Sequence, residues 1–328
     1  MVKNKEKDYD VLYMKISVVT PIYNEAENIP ILFKELSEVF KAVGVDYEII
    51  AVNDGSKDES SSVLTRLAKL DNHYKVIDFR ANRGQTAAIS AGITHASGEI
   101  IIPMDSDLEN DPHDIPKMLE KLNEGYDVVS GWRKNRWSGN FLTRKFPSIV
   151  ANWLISKITR VPLHDYGCIL KVYRREVLSG VKLYGEMHRF IPAYASWRGA
   201  KVTEMVVNQR PRIHGKSNYG FGRTFRVLLD LVVIIFLDKY MNKPMHFFGR
   251  IGFWSFGIGA LALVSAVGLK LFHIRDFVTT PLPIFSALFL IVGVQLVAMG
   301  ILAEMLMRIY YESSDEKPYL ISEKINLD

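Results

Sequence analysis

Two long stretches near the C-terminus carry no charged side chain, and they limit the folds open to this chain more than any other feature. Residues 252–269 are free of charge over 18 positions, and residues 277–303 over 27 positions. About 20 apolar residues suffice for a helix to cross the hydrocarbon core of a bilayer. The short connection between the stretches therefore predicts a transmembrane hairpin. The competing interpretation is a buried helical hairpin of a soluble domain, which stretches of this length disfavour.

The average composition conceals this asymmetry. Mean hydropathy is only +0.05, with 48% hydrophobic residues, 23% charged residues and a formal net charge of +5. High apolar content and mixed charge exclude a disordered chain, a collagen-like repeat and a nucleic-acid-binding tail. The single cysteine, Cys168, excludes an intramolecular disulfide and fits a reducing compartment. Its apolar neighbours favour a small buried residue over a nucleophile.

The charged and aromatic N-terminus, residues 1–15, shows no signal peptide, so the first domain and both chain ends are expected in the cytoplasm. Residues 227–237 are apolar except for Asp230 and too short to span. They predict an interfacial helix, with a third, shorter span as the alternative. The expected organisation is a cytoplasmic domain over 1–220, juxtamembrane helices over 221–249, two transmembrane helices over 250–310 and a cytoplasmic tail over 311–328.

Between residues 16 and 130, β-branched runs alternate with apolar residues at helical spacing. Strands are predicted at 16–20, 47–52, 75–79, 99–104 and 127–130, and helices at 26–43, 60–70, 85–96 and 114–123. This alternation predicts an α/β fold, with a mostly parallel sheet and helices on both faces. Ligands of such sheets lie beyond the carboxyl ends of the strands. Four polar loops should meet there, at 21–25, 53–56, 80–85 and 105–109, and the basic stretch 132–145 is expected to be a mobile loop over them.

The strongest local signal is Asp105-Ser106-Asp107, directly after a buried strand. Two carboxylates at this spacing can hold one hard divalent cation, Mg²⁺ or Mn²⁺, against a diphosphate. Glu109 could supply a further oxygen. The alternative is a solvated acidic turn before the next helix, which the position at a strand end disfavours.

Two other loops carry candidate nucleotide contacts. Tyr23 could stack on a base, and Glu25 could hydrogen-bond a ribose or base. Asp54 could accept a hydrogen bond from a base N–H. The alternatives are local: Asn24 could cap the following helix in a capping-box-like pair, and residues 53–56 could form an ordinary strand-to-helix turn.

Six motifs in this order resemble family 2 glycosyltransferases with the GT-A, Rossmann-like fold. Four of them are residues 18–25 (VVTPIYNE), 53–56 (NDGS), 82–84 (NRG) and 104–110 (MDSDLEN). Two more, residues 164–175 (HDYGCILKVYRR) and 212–219 (RIHGKSNY), resemble the polyprenyl-phosphate branch. That branch includes dolichol-phosphate mannose synthases and bacterial undecaprenyl-phosphate sugar transferases. The resemblance covers roughly residues 15–240, and the C-terminal hairpin fits the bacterial membrane-anchored members.

The resemblance implies roles for individual residues. The nucleotide would be bound by Pro21, Tyr23, Glu25, Asp54, Asp105 and Ser106. The metal, Mg²⁺ or Mn²⁺, would be held by Asp105, Asp107 and Glu109. The acceptor phosphate would be contacted by Arg133, Arg212, Lys216 and Ser217. Catalysis would rest on Asp107, Asp165, Arg133 and Arg212.

The chain departs from the family pattern at two places. Glu109 stands where the family usually has Gln, which adds negative charge near the metal. Residues 215–218 read Gly-Lys-Ser-Asn where the family more often has Gly-Glu-Ser-Lys, so Lys216 becomes a candidate phosphate contact. The basic residues between 210 and 223 suit a lipid phosphate, although such a patch could also bind only anionic headgroups. Asp165 could act as a base, but a phosphate acceptor is already ionised, so Asp165 could instead orient the sugar or its loop. The alternative is an aspartate that only forms a turn or caps a helix.

The resemblance implies an inverting glycosyltransferase of the bacterial inner membrane, multi-pass and with its catalytic domain in the cytoplasm. It would move one sugar from a UDP-sugar to undecaprenyl phosphate, with membrane lipid and no nucleic acid among its partners. UDP-glucose is the first expectation for the donor, with N-acetylglucosamine or an aminoarabinose derivative behind it. A homo-oligomer could form through Gly252, Gly257 and Gly259.

Two other functions stay open at this stage. A processive polysaccharide synthase would need more spans and a Gln-x-x-Arg-Trp motif, and the sequence contains no such string. A non-catalytic, nucleotide-binding membrane scaffold is the other, and the intact Asp-x-Asp beside a basic acceptor patch disfavours it.

Overall fold

The computed structural model describes residues 11–134, 146–179, 187–212 and 243–313, together with residues 236 and 240. The chain divides into two units, Met1–Leu231 and Val232–Asp328. Several sequence predictions fall wholly or mostly outside the described residues: the loop 132–145, the acceptor residues Lys216 and Ser217, the apolar run 227–237 and the tail 311–328.

Within the described residues, the first unit is built on a seven-stranded sheet. Its strands are β1 (Ile16–Ile22), β2 (Tyr47–Asn53), β3 (Tyr74–Asp78), β4 (Ile100–Pro103), β5 (Val128–Trp132), β6 (Lys171–Arg174) and β7 (Val202–Val206). Their order across the sheet is β3-β2-β1-β4-β6-β5-β7. All pairs are parallel except those of β6, which runs antiparallel to both β4 and β5. The predicted mostly parallel sheet is confirmed.

The direction of the strands decides which loops can meet. Because β6 is antiparallel to both of its neighbours, β4 and β5 point the same way, and β7 is parallel to β5. The segment after β7 therefore returns to the edge where β1, β2 and β4 end. The segment that leads into β6 starts from that edge too. The sequence predicted neither β6 nor β7. Strand β6 is short and carries Lys171 and Arg174 instead of an apolar run, and β7 has only scattered apolar residues.

Seven described helices accompany the sheet. They are α1 (Ile29–Val43), α2 (Ser60–Leu70), α3 (Gln85–His95), α4 (Ile115–Asn123), α5 (Phe146–Thr159), α6 (Arg175–Leu178) and α7 (Ile191–Trp197). Helix α1 begins three residues later than predicted, with Pro30 in its first turn. It ends at Gly44, whose φ of 77° places it in the left-handed region that glycine adopts without a steric cost.

Apolar clusters cover both faces of the sheet. Val18 of β1 packs in a cluster with residues of α1, α2 and α4. Its neighbour Val19 packs in a second cluster with Ala88 of α3 and Ile191 of α7. Successive residues of a strand point to opposite faces, so β1 is buried on both sides and reads as a continuous apolar run. The predicted placement of helices on both faces is confirmed.

The second unit contains two long helices among its described residues, α8 (Pro244–Leu271) and α9 (Leu282–Ser313). Both are long and apolar enough to cross a membrane by length and composition. Only 22% and 17% of the residues in their most apolar windows are buried, whereas the core helix of a soluble protein is mostly buried. The exposed apolar surface favours the membrane hairpin over the soluble alternative.

Small residues bring α8 and α9 together. A Cβ on Gly252 would lie 3.0 Å from Val297 Cγ2, and one on Gly259 would lie 3.0 Å from Leu290 Cγ. Ser286 Oγ donates a hydrogen bond to the carbonyl oxygen of Gly259 at 2.9 Å. Gly252 and Gly259 therefore serve contacts within this chain. An added Cβ on Gly257 would meet nothing within 4 Å, and association between chains stays a prediction.

Candidate active site

The carboxyl ends of β1, β2 and β4 lie side by side, as the sequence predicted. Ile22 is level with Asn53 in the parallel ladder, and Val19 is level with Pro103. Ser106 Oγ donates a hydrogen bond to the carbonyl oxygen of Pro21 at 3.0 Å, which ties the loop after β4 to the end of β1. Polar side chains from separate loops are thereby gathered at one edge of the sheet.

The loop after β1 is locked onto the loop after β2. Asn24 has a φ of 56°, and its Oδ1 accepts a hydrogen bond from the Lys57 backbone N–H at 2.8 Å. Its own N–H donates to Ser56 Oγ at 3.0 Å. The alternative in which Asn24 caps the following helix is wrong, because the cap position of α1 belongs to Asn28, which makes no side-chain capping bond. Tyr23 in the same loop is 38% exposed, as a stacking platform needs.

Asp54 is buried and holds the loop that follows β3. Its two carboxylate oxygens accept hydrogen bonds from the backbone N–H groups of Arg83, at 2.6 Å, and Gly84, at 2.9 Å. Gly55 follows with a φ of +67°, and a Cβ there would lie 2.6 Å from the Ala81 carbonyl carbon. Glycine is required at this close approach. The base contact predicted for Asp54 stays a prediction, beside this observed role in shaping the loop.

Glu25 is the half-buried carboxylate of the first loop. It accepts a hydrogen bond from Asn28 Nδ2 at 2.5 Å. Burial raises the pKa of Glu25, and the negative charge of Asp107 raises it further. Glu25 and Asp107 of the Asp-x-Asp motif are therefore close enough for their charges to interact, although they are far apart in sequence.

Two of the three acidic residues of the loop after β4 share one partner, and the third has another. Asp105 Oδ1 accepts a hydrogen bond from Gln85 Nε2 at 2.6 Å. Asp107 Oδ2 accepts one from Arg212 Nη2, and Glu109 Oε1 accepts one from Arg212 Nε at 3.3 Å. Arg212 thus bridges two of the three predicted metal ligands.

A buried leucine shapes the turn between those two carboxylates. Leu108 has a φ of 62°, which is unfavourable for a bulky side chain, yet its side chain is wholly buried in the core. Asp107 Oδ1 also accepts a hydrogen bond from the Glu109 backbone N–H at 3.1 Å. The turn therefore keeps both carboxylates within reach of one guanidinium.

The segment after β7 is pinned in place before it reaches Arg212. The backbone N–H of Asn208 donates to Asp114 Oδ2 at 2.6 Å. Arg210 donates to Glu35 of α1, at 2.8 Å and 3.0 Å, and to Asp111 at 2.6 Å. Burial alone would lower the pKa of Arg212, but Asp107 and Glu109 raise it.

The donor set at this edge fits a hard divalent cation in part. Mg²⁺ is usually held by one or two carboxylates together with water and substrate phosphates, and Asp107 with Glu109 supplies such a pair. The guanidinium between them shows that positive charge is favoured there. Among the residues that the structure describes, no three His, Cys, Asp or Glu side chains are grouped closely enough to hold a metal by themselves.

Arg133 lies against Asp165 in a buried, two-point ion pair. Its Nε donates to Asp165 Oδ2 at 2.8 Å, and its Nη2 donates to Asp165 Oδ1 at 3.1 Å. The two side chains are 4% and 9% exposed. The pair uses two of the five N–H groups of the guanidinium, and the phosphate contact predicted for Arg133 stays a prediction. The observed geometry makes Arg133 the residue that orients Asp165.

Strand β6 begins with a buried lysine, Lys171, that was not among the predicted site residues. Lys171 Nζ donates to the carbonyl oxygens of Cys168 and, at 3.4 Å, of Tyr166. Burial lowers the pKa of Lys171 to about 8. Cys168 is buried as expected, and burial raises the pKa of its thiol. Lys171 lies within the motif over residues 164–175, and Gln85, the partner of Asp105, lies in the predicted polar loop 80–85.

Comparisons with known proteins identify the family. The glycosyl transferase family 2 profile matches residues 17–181. A dodecaprenyl-phosphate galacturonate synthase from Rhizobium johnstonii is 41% identical over 94% of this chain and 93% of its own length. An undecaprenyl-phosphate 4-deoxy-4-formamido-L-arabinose transferase from Enterobacter sp. is 36% identical over 95% of this chain and 94% of its own length.

Solved structures show a related fold. Glucosyl-3-phosphoglycerate synthase from Mycobacterium tuberculosis, in complex with Mn²⁺, UDP and phosphoglyceric acid, has a TM-score of 0.54 at 17% identity. The match covers 69% of this chain and 78% of that one. The same enzyme has also been solved with Mg²⁺ and UDP, with a TM-score of 0.53. On its sequence profile and full-length relatives, the chain belongs to glycosyl transferase family 2 and is an enzyme related to polyprenyl-phosphate sugar transferases.

Proposed function

We propose that this enzyme transfers a single sugar from a UDP-sugar to a polyprenyl phosphate, with inversion at the anomeric carbon and release of UDP. The observation that carries the proposal is the meeting of Asp107, Glu109 and Arg212 at the carboxyl ends of the strands. Carboxylates beside an arginine suit a reaction in which one phosphate group departs and another attacks.

The sugar is proposed from the relatives, and it differs from the first expectation. Their names specify galacturonate and 4-deoxy-4-formamido-L-arabinose, and neither name supports glucose. We therefore place a galacturonic acid or a formamido-arabinose ahead of glucose as the transferred group.

The described residues would divide the work as follows. Tyr23, Glu25 and Asp54 line the loops after β1 and β2 and would receive the base and ribose. Of the three predicted ligands, Asp107 and Glu109 would hold Mg²⁺ or Mn²⁺ together with the diphosphate of the donor, and Asp105 would lie beside them. The metal, when bound, supplies positive charge against the departing diphosphate. Arg212 would face the acceptor phosphate.

The acceptor needs little activation. A phosphate monoester is ionised at neutral pH, so attack on the sugar depends on position more than on a strong base. Arg133 fixes both oxygens of Asp165. We therefore assign Asp165 an orienting role on the acceptor side, without proton transfer.

The membrane supplies the acceptor. Helices α8 and α9 are proposed to cross the inner membrane as a hairpin, with the catalytic unit on the cytoplasmic side. A polyprenyl phosphate carries its charge at the membrane surface. This suits the basic residues between 210 and 223, which precede the hairpin in the sequence.

A donor panel tests the proposal. Purified full-length protein would be incubated with undecaprenyl phosphate, Mn²⁺ or Mg²⁺, and each of four donors: UDP-galacturonate, UDP-4-deoxy-4-formamido-L-arabinose, UDP-glucose and GDP-mannose. Mass spectrometry of the lipid fraction should show one added sugar with one of the first two donors. Binding of donors without any lipid product would contradict the proposal and favour a non-catalytic scaffold, and products with several sugars would favour a processive synthase.

A further inference from the structure

Arg212 lies at the point where two of the proposed metal-binding carboxylates meet. Its Nη2 bonds Asp107 Oδ2, and its Nε is 3.3 Å from Glu109 Oε1. The Arg212 side chain is 20% exposed, and the carboxylates of Asp107 and Glu109 are 13% and 20% exposed. Because these groups are largely shielded from water, their mutual attraction is only weakly screened.

The two carboxylates need a cation between them. Asp107 and Glu109 are two residues apart, and both side chains approach one guanidinium. Two carboxylates held this close repel each other unless a positive charge compensates. Arg212 provides that charge in the structure as it stands.

A divalent cation bound by the same oxygens would take over this compensation. The guanidinium occupies Asp107 Oδ2 and Glu109 Oε1. The second oxygens are engaged as well, because Asp107 Oδ1 accepts from the Glu109 backbone N–H at 3.1 Å and Glu109 Oε2 accepts from Gln209 Nε2 at 3.2 Å. A metal on these carboxylates would compete with these contacts, and the metal and the guanidinium would repel each other. Simultaneous binding in the observed geometry is therefore unfavourable.

We propose that Arg212 is a displaceable counter-ion: it holds Asp107 and Glu109 before the metal arrives, leaves them when a divalent cation binds, and then carries its guanidinium to the acceptor phosphate. This inference rests on the proposed function for the metal site and for its last step, the move to the acceptor phosphate. It makes metal binding and acceptor binding mutually reinforcing, because each favours the released state of Arg212 and linkage is reciprocal.

Arg210 provides a matched comparison two residues earlier. It also makes two ion pairs, but its partners are Glu35, at 2.8 Å, and Asp111, at 2.6 Å. Removing Arg210 takes one positive charge from the same segment without freeing Asp107 or Glu109. A general electrostatic effect would act on both variants, whereas displacement concerns Arg212 alone.

The test is a Mn²⁺ titration of the full-length protein in nanodiscs of phosphatidylcholine without donor, with free Mn²⁺ measured by electron paramagnetic resonance. Wild type is compared with Arg212→Met and Arg210→Met. Arg212→Met should bind Mn²⁺ more tightly by about fivefold or more, the lower end of typical couplings between sites. Arg210→Met should bind it as wild type does.

Three results would overturn the inference: unchanged affinity in Arg212→Met, weaker affinity, or equal tightening in both variants. Weaker affinity is what a purely structural role would produce, since Asp107 and Glu109 would lose their support. Arg212→Gln keeps hydrogen-bond donors but removes the charge, and the same tightening is expected from it. It decides the matter if Arg212→Met does not fold.

A second measurement separates this inference from the proposed function. In the transfer reaction, Arg212→Gln should raise the KM for polyprenyl phosphate even while it binds Mn²⁺ more tightly. Unchanged acceptor KM would remove the last step of the inference. Absence of transfer by wild type with every donor would instead contradict the proposed function, and the Mn²⁺ titration would still decide whether Arg212 competes with the metal.

Discussion

Ion pairs between individual residues organise the edge of the sheet where the proposed reaction takes place. Arg212 bridges Asp107 and Glu109, and Arg133 holds Asp165 by two hydrogen bonds. Each pair joins residues that are distant in sequence. The sequence therefore shows which residues are charged, but it does not show which of them pair.

Loss of the Asp107 carboxylate should abolish transfer. Asp107→Ala removes a proposed metal ligand and the main partner of Arg212, so the transfer rate should fall by roughly 100-fold or more, as when one group that stabilises transition-state charge is removed. Transfer is measured as lipid-linked sugar formed by the purified variant. Glu120→Gln, an exposed carboxylate of α4, serves as the control and should retain the wild-type rate. Undiminished transfer by Asp107→Ala would sink its assignment to the metal.

The Arg133–Asp165 pair should matter for stability as well as for activity. Arg133→Met leaves the Asp165 carboxylate buried without its partner, which typically costs about 3–5 kcal/mol of unfolding free energy. The midpoint of thermal unfolding in detergent should fall. The double variant Arg133→Met with Asp165→Asn removes the uncompensated charge and should recover part of the loss. A single variant as stable as wild type would show that the pair is not buried in solution.

Strand direction decides which residues can reach each other, and this is a property of the elements. The antiparallel β6 lets β7 end at the same edge as β1, β2 and β4. Arg212 reaches Asp107 only because of this topology. The apolar runs predicted β1 to β5 from the sequence, whereas β6 and β7 lack a strong run and escaped prediction.

A buried carboxylate, Glu48, links three strands near their amino ends, away from the proposed active site. Glu48 of β2 accepts a hydrogen bond from Ser17 Oγ of β1 at 2.6 Å and is paired with Lys75 of β3. Burial alone would raise the pKa of Glu48, but hydrogen bonds from Lys75, Ser17 and Ser97 outweigh it and lower the pKa to about 2. The ionised form therefore stabilises the fold.

The pH dependence of stability should reveal Glu48. Since its pKa is lower in the folded chain than the usual 4.5, its contribution is present above pH 4.5 and is lost as the pH falls towards 2. Glu48→Gln should lower the unfolding midpoint at pH 7 and flatten its decline between pH 5 and pH 3. Thermal unfolding in detergent across this range provides the measurement. A variant whose pH profile matches that of wild type, or of the exposed control Glu120→Gln, would refute the role.

The chain as a whole combines a polar catalytic unit with an apolar helical pair. Large apolar side chains of α8 and α9, such as Phe253, Trp254 and Leu261, are exposed. Contact of this apolar surface with water is unfavourable, whereas its contact with lipid is favourable. The near-zero mean hydropathy is the average of these unlike parts.

Labelling of single cysteines should reveal the proposed topology. Cys168, the natural cysteine, is buried and gives little background. His273→Cys, between α8 and α9, should react with a membrane-impermeant maleimide applied to intact cells, once the outer membrane is made permeable. Ser62→Cys on the catalytic unit should react only after the inner membrane is broken. The reverse pattern would contradict the cytoplasmic placement of the catalytic unit.

The sequence by itself determined the α/β alternation, the two apolar helices and the acidic loop at a strand end. These features depend on local periodicity and on short motifs, which a linear chain displays directly. The sequence did not show the partners of Arg133 or Asn24, because it displays residue types without their contacts.

Only the tertiary structure decided which charges pair. Arg212 pairs with Asp107 and Glu109, and Arg133 pairs with Asp165. Asp54 accepts hydrogen bonds from the backbone of the loop after β3. These contacts bridge 29 to 105 positions of sequence. They follow from the order and direction of the strands, which hydrophobic patterning does not encode, and it is this pairing that makes Arg212 a competitor for the proposed metal ligands.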